Sequence, residues 1–239
     1  MEMWIKEFYT GKKVKDKIKK LIAKSSFLRL LANYYWSIEH YGIFEGVGIL
    51  WKDFTGRLYY FLLFHVWDGV IDTSGYIHGR KYISIGKNFC AGKCLRIEAI
   101  RTSALNRPRI VIKDNVSLSD FNHIGATNYI EIGNRVLLGS KCYITDHNHG
   151  TYGGGEGGTN PNVPPSERPL MINERVIIED NVWIGDNVTV LPGVTIGKGS
   201  IIGSNAVVSK SIPPYSIAVG IPARVIKQWN PENQRWEFV

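Results

Sequence analysis

A chain of 239 residues, 44% of them hydrophobic and 21% charged, is long enough to bury one substantial core and too apolar to be largely disordered. The 25 glycines sit in no collagen-like repeat, and three cysteines, Cys90, Cys94 and Cys142, are odd in number, which argues against a disulfide framework. With no secretory signal recognisable, a reducing, cytoplasmic setting is expected, and the net charge of +8 implies an anionic partner without naming it.

Residues 1–67 read as a helical, basic and aromatic-rich region. Lys12, Lys13, Lys15, Lys17, Lys19, Lys20 and Lys24 interleave with Val14, Ile18, Leu21 and Ile22 at helical spacing. Such a helix suits peripheral contact with the inner face of an anionic membrane. The clusters Tyr34-Tyr35-Trp36 and Tyr59-Tyr60-Phe61 are expected to cap the open end of the domain that follows. The run from Tyr59 to Phe64 is broken by His65 and Asp68 and is too short to span a bilayer. No helix-turn-helix pattern or C-x-x-C pair is present, so no nucleic-acid partner is expected.

From residue 68 to 239 the sequence becomes periodic. Ile172, Ile178, Ile184, Val190, Ile196, Ile202 and Val208 stand six apart, and Val176, Val182, Val188 and Val194 lead them by two. The same double row appears in Ile83, Phe89 and Leu95 with Ile85, Ala91 and Ile97, and in Ile130, Val136 and Cys142 with Ile132, Leu138 and Ile144. Gly follows the second row at Gly86, Gly125, Gly133, Gly139, Gly185, Gly197 and Gly203, where a corner needs a small or permissive backbone. A six-residue unit is one short strand and one corner, and only stacking buries its apolar side chains. The expected fold is therefore all-β, a parallel β-helix of hexapeptide repeats with an N-terminal helical appendage. A long loop, 145–169, interrupts the period with Gly153-Gly154-Gly155 and Pro164-Pro165, and Pro213-Pro214 is expected to end the strand ladder.

Several stretches resemble the hexapeptide-repeat acyltransferases, above all the galactoside and maltose acetyltransferases and the bacterial polysaccharide O-acetyltransferases. They are Ile184-Gly185-Asp186-Asn187-Val188, Leu191-Pro192-Gly193-Val194-Thr195-Ile196-Gly197, Lys210-Ser211-Ile212-Pro213-Pro214 and Gly220-Ile221-Pro222-Ala223-Arg224-Val225-Ile226. The resemblance covers roughly residues 80 to 228. It implies a left-handed coil, a homotrimer, acetyl-CoA as acyl donor, no metal, and a sugar or lipid-linked oligosaccharide as acceptor.

Acyl transfer to a hydroxyl needs a base, and histidine is the usual one. The family's catalytic histidine falls on His147, within Thr145-Asp146-His147. Acceptor positions fall on Asp120 and Asn128, where the galactoside enzymes carry Asn and Asp, and on His149 as a neighbour that orients substrate. The bland reading of Asp120 and Asn128 is ordinary solvated corner chemistry. Cofactor positions fall on Trp183, Asp186, Ser204, Ser209, Lys210, Arg224 and Lys227; the three cations suit phosphates, or are simply a solvated face. Cys90 and Cys94 are read as structural. Three rivals stay open: an N-acetyltransferase on an amino-sugar nucleotide, a zinc enzyme of the carbonic anhydrase type using His123, His147 and His149, and a scaffold without activity.

Overall fold

Three six-residue units turn the chain once around a triangular coil, so every third strand meets its predecessor one coil below. The computed structural model has this arrangement and describes residues 35, 36, 38–40, 42–101, 109–152, 158–170 and 174–239. The Lys-rich helix expected over residues 12–24, Ile172 and most of the loop glycines lie outside the described residues.

The first sheet runs through Val70–Ile71, Cys90–Ala91, Ser117–Leu118, Leu137–Leu138, Trp183–Ile184, Ile201–Ile202 and Ser216–Val219. Tyr76–His78, Arg96–Ala99, His123–Ala126, Tyr143–Thr145, Thr189–Val190 and Val207–Val208 make the second. The third holds Ile83–Ile85, Arg109–Ile112, Tyr129–Ile132, Arg175–Ile178 and Thr195–Ile196. All these pairings are parallel, the left-handed β-helix of the hexapeptide repeats. The two apolar rows form its core: Ile178, Ile184, Val190, Ile196 and Val208 have no exposed surface. Each contributes roughly 1.5–3 kcal/mol by leaving water, and β-branched side chains dominate because they stack on a pleated surface.

The corners differ from the sequence expectation in one respect. Their left-handed positions are taken by side-chain-bearing residues, among them Asn88, Asn115, Asn181, Asn187 and Asn205 at φ between 54° and 62°, as suits asparagine. The glycines of the repeat supply room instead. A Cβ on Gly86, Gly92, Gly133 or Gly139 would come within 2.7 Å of an Asp carboxylate oxygen of the next coil, from Asp114, Asp120, Asp180 and Asp186 respectively. Those carboxylates accept the backbone N–H of Lys87, Lys93, Asn134 and Ser140, stapling coil to coil. Gly125 is no corner residue; it lies within the strand His123–Ala126.

Pro213 and Pro214 do not end the ladder. They occupy a corner, with the Pro213 carbonyl accepting from Ser200 Oγ at 2.8 Å, and Ser216–Val219 resumes parallel pairing with Ile201–Ile202 beyond them. The prolines cost no strand bond because the strand starts after them. Two antiparallel strands, Arg224–Asn230 and Arg235–Phe238, then extend the first sheet.

By compactness the chain divides into units Met1–Phe54 and Thr55–Val239. Helix α1, Ile43–Phe64, begins in the former and ends in the latter. In the former, Gly46 lies so near Ile38 that a Cβ would meet it at 2.9 Å. In the latter, the end of α1 covers the first coil: Tyr60 is wholly buried beside Phe89, and Tyr59 Oη donates to the Gly75 carbonyl at 2.9 Å. Burial, and after it the charge of Asp68, pushes the Tyr60 phenol up to about 12. Among the described residues no helix is long and apolar enough to cross a membrane.

Candidate active site

The second sheet delivers His147. Its strand Tyr143–Thr145 ends where the long loop leaves the coil, and Asp146 at that junction has no exposed surface. One oxygen of Asp146 accepts the N–H of Thr127 at 2.8 Å, and the other accepts those of Asn128 and Tyr129 at 2.8 and 2.7 Å. Three backbone donors of the preceding coil thus clamp the carboxylate, and with it the loop's first residue.

His147 is held from one side. Its Nδ1 lies 3.1 Å from both Asp146 Oδ1 and Thr145 Oγ1, so a proton on Nδ1 has acceptors and Nε2 keeps its lone pair. The side chain is 10% exposed, shielded yet reachable. A Cβ on Gly125 would stand 3.5 Å from His147 Cε1 and 3.6 Å from His123 Nε2, which sets both imidazoles over the outer face of the second sheet.

The other expected positions divide. Asn128 is tied to the carboxylate that holds the base, its N–H on Asp146 and its side-chain amide on the Glu174 carbonyl at 2.8 Å. His149 belongs to the loop's own closure: Nδ1 lies 3.2 Å from the Pro165 carbonyl, its main chain bridges Leu170, and its carbonyl accepts from Tyr152 Oη. Arg168 completes that closure by donating to Val163, Tyr152 and Pro161. Asp120 and Asp186 are corner staples equivalent to Asp114 and Asp180. Ser204 Oγ accepts the Asp186 N–H at 3.1 Å.

Trp183 stands on the first sheet between Leu137 and Ile201, 52% exposed. Hydrogen bonds from Val207 N–H to Gly220 and from Ala223 N–H to Val207 bring the start of the strand Arg224–Asn230 to the end of the second sheet, where Ser209 and Lys210 leave it. Arg224 and Lys210 are exposed; Lys227 rests with Nζ 4.4 Å from the centre of the Phe238 ring.

Cys90 and Cys94 are exposed. Cys142 is buried, donating to the Gly185 carbonyl at 3.1 Å, and burial pushes its thiol up. Among the described residues no group of three His, Cys, Asp or Glu could hold a metal ion.

Residues 175–210 match the family model of the bacterial transferase hexapeptide, six repeats. The chain is also 41% identical over 162 residues, 68% of its own length and 80% of the relative's, to WbbJ of Escherichia coli (strain K12), whose name assigns it provisionally to lipopolysaccharide biosynthesis as an O-acetyl transferase. The chain belongs to the hexapeptide-repeat acyltransferases. Among solved structures, two mutant forms of AntD, an N-acyltransferase from Bacillus cereus in complex with dTDP-4-amino-4,6-dideoxyglucose and coenzyme A, share the fold at TM-scores of 0.54 and 0.51. Each is 20% identical over 70% of this chain and 83% of the other.

Sequence reasoning about this acyltransferase passed over one cluster beside the base. Glu98 Oε2 accepts from Arg96 Nε at 2.6 Å and lies 2.9 Å from His123 Nε2. Tyr143 packs on the His123 ring at 5.0 Å between centroids. Burial raises the Glu98 carboxyl, but hydrogen bonds from Arg96 and His123 outweigh it and hold it below the usual range. Burial pushes His123 down, more than Glu98 restores. Outward-facing polar residues at alternate strand positions were the available signal. The insertion after Arg101 broke the six-residue count that would have put Glu98 next to Gly125.

Proposed function

We propose that this protein is an acetyl-CoA-dependent O-acetyltransferase acting on a sugar hydroxyl, in lipopolysaccharide or another surface polysaccharide. One observation carries the reading: His147 is fixed through Nδ1 by a buried, clamped carboxylate, so that Nε2 is left as a base on the face of the second sheet. The relative named for O-acetyl transfer, and the B. cereus fold neighbour named for acyl transfer in complex with coenzyme A and a nucleotide sugar, support the substrate classes.

His147 Nε2 takes the hydroxyl proton as the oxygen attacks the thioester carbonyl. Asp146 offsets the charge gained by the ring. The tetrahedral oxyanion collapses, the C–S bond breaks, and the proton on His147 passes to the departing thiolate. The second sheet supplies a track for this step: strands spaced about 5 Å apart lead from Tyr143–Thr145 through Thr189–Val190 to Val207–Val208. At that end Lys210 and Arg224 suit the phosphates of the donor, with Ser209 beside them and Lys227 further along the strand that Arg224 begins, and Trp183, exposed on the first sheet, lines the pantetheine arm from a neighbouring solenoid. Asn128 faces the acceptor, and His149 shapes the loop over it. Asp120, Asp186 and Ser204 act by holding the corners that carry these groups.

The active assembly is a homotrimer, with exposed Phe121, Leu137 and Trp183 available to neighbouring solenoids. Residues 68–239 form the transferase domain and residues 1–67 its cap. The setting is cytoplasmic, with the Lys-rich segment bringing the enzyme to the inner membrane face and lipid-linked acceptors.

Calorimetric titration with acetyl-CoA, and with CoA lacking its 3′-phosphate, tests the donor. Saturable binding weakened by loss of that phosphate is expected; no binding refutes the reading. Thiol release with matched hydroxyl- and amino-sugar acceptors then decides between O- and N-transfer, and His147→Ala should abolish it while leaving donor affinity unchanged.

A further inference from the structure

The proton transfer assigned to His147 leaves the neighbouring strands of the second sheet unused, yet they carry a built polar cluster. Register places Tyr76, Arg96, His123 and Tyr143 in one outward column and His78, Glu98, Gly125 and Thr145 in the next. Gly125 is therefore a gap in the second column, with Glu98 on one side and Thr145, leading to His147, on the other. His147 and His123 both border that gap. Glu98 has a side chain only 13% exposed, and both of its donors among the described residues, Arg96 and His123, fall on Oε2. Its other oxygen, Oε1, is left to accept from a ligand. Such a carboxylate is an acceptor with no proton to give, so it selects a hydrogen-bond donor.

We propose that Glu98, held by Arg96 and His123, is the acceptor-specificity residue of this site, and that it selects a ring bearing two adjacent hydroxyls. One hydroxyl enters the Gly125 gap and gives its proton to His147; its neighbour donates to Glu98 Oε1. This inference rests on the reading of His147 as the base, and it adds a substrate class: vicinal diols of a pyranose.

The test uses the full chain with acetyl-CoA and methyl hexopyranosides of gluco, galacto and manno configuration, followed by thiol release. Removing the hydroxyl next to the acetylated one should lower kcat/KM roughly ten- to hundred-fold, the scale of a hydrogen bond to a charged group. In Glu98→Gln the amide oxygen can take the place of Oε2 toward Arg96 and His123, leaving the NH2 where Oε1 stood. That variant should bind acetyl-CoA normally, transfer poorly to the diol, and lose no further activity on the deoxy acceptor. An equal deoxy penalty in both proteins overturns the proposal. So does a wild-type protein that binds acetyl-CoA yet acetylates none of the pyranosides. Should Glu98→Gln fail to fold, Gly125→Ala decides: its Cβ makes only ordinary contacts at 3.5 and 3.6 Å, so it should fold, bind donor and lose transfer, and unchanged transfer refutes the assignment. Absence of donor binding in the wild type, or transfer persisting in His147→Ala, would instead sink the underlying reading.

Discussion

Asp146→Asn separates what the buried carboxylate does for folding from what it does for the base. In the wild type Oδ1 takes Thr127 N–H at 2.8 Å, Thr127 Oγ1 at 3.2 Å and His147 Nδ1 at 3.1 Å, while Oδ2 takes Asn128 and Tyr129 N–H at 2.8 and 2.7 Å. An amide has one oxygen. Turned to serve Asn128 and Tyr129, it keeps two backbone donors as neutral bonds of roughly half the strength, and it points NH2 at the Thr127 N–H, at a cost of about 1–3 kcal/mol. The combined loss is about 3 kcal/mol, or roughly 6–12 °C in Tm for a domain of this size. The same NH2 now donates to His147 Nδ1, so the ring proton moves to Nε2 and the base loses its lone pair. A wrongly placed tautomer costs about 10²–10⁴-fold in kcat. Thermal unfolding by circular dichroism, and thiol release measured well below the midpoint, read the two effects separately. A variant with Tm within about 2 °C of wild type and turnover within about threefold would refute both the clamp and the tautomer argument.

Gly139→Ala should destabilise the solenoid by a few kcal/mol, because its Cβ would stand 2.7 Å from the Asp186 backbone nitrogen and 2.8 Å from the Gly185 carbonyl carbon; an unchanged denaturation midpoint would show that the corner can yield. Stability should also fall on the acid side. The Asn134 N–H lowers Asp180, Lys113 and then Tyr129 lower Glu131, and Glu98 is lowered despite burial. A depressed carboxyl contributes stability that is full above its unfolded value near ~4 and is lost as pH falls through the folded value. Depressed His123 acts in the same direction from ~6.5 downward. Lys113, raised by its hydrogen bond to Glu131, adds stability that is lost only as pH rises past its ordinary range. Cys142, raised by burial, adds stability that is lost as pH rises past the ordinary thiol value near ~8.5. Tm against pH should therefore hold between about 7 and 8 and drop on the acid side; a rise on acidification from pH 7 to 5 would contradict the assignments.

The coil was legible in the sequence because its periodicity is set by burial: a six-residue strand-and-corner unit must put Ile178, Ile184 and Val190 inward, and no other repeat buries them together. Pro213 and Pro214 misled because proline excludes itself from a ladder, not from a corner, and a row of residues cannot say which side of a corner the strand begins. The glycines, read as small or permissive, proved to be needed for smallness alone. Their spacing was right, but the reason is the carboxylate of the next coil pressing on them, a contact some 28 to 47 residues away in Gly86 with Asp114, Gly92 with Asp120, Gly133 with Asp180 and Gly139 with Asp186.

That contact also explains why the site was only half legible. Asp at the second position after an inward residue recurs at Asp114, Asp120, Asp180 and Asp186, and a residue required in several coils for coil-to-coil stapling carries little information about a substrate bound at one of them. His147 differs because it stands just inside a loop that occurs once, while its partner Asp146 keeps the staple position, second after inward Ile144, and accepts backbone N–H groups of the preceding coil as the other staples do. Glu98, His123 and Gly125 also break the pattern. They do so across the insertion after Arg101, which shifts the numbering between neighbouring strands by a length that only the hydrogen-bonded register of Glu98 with Gly125 reveals. In a solenoid, then, function is to be sought where the outward columns depart from repetition, and those departures meet here around the one glycine that stands inside a strand of the second sheet.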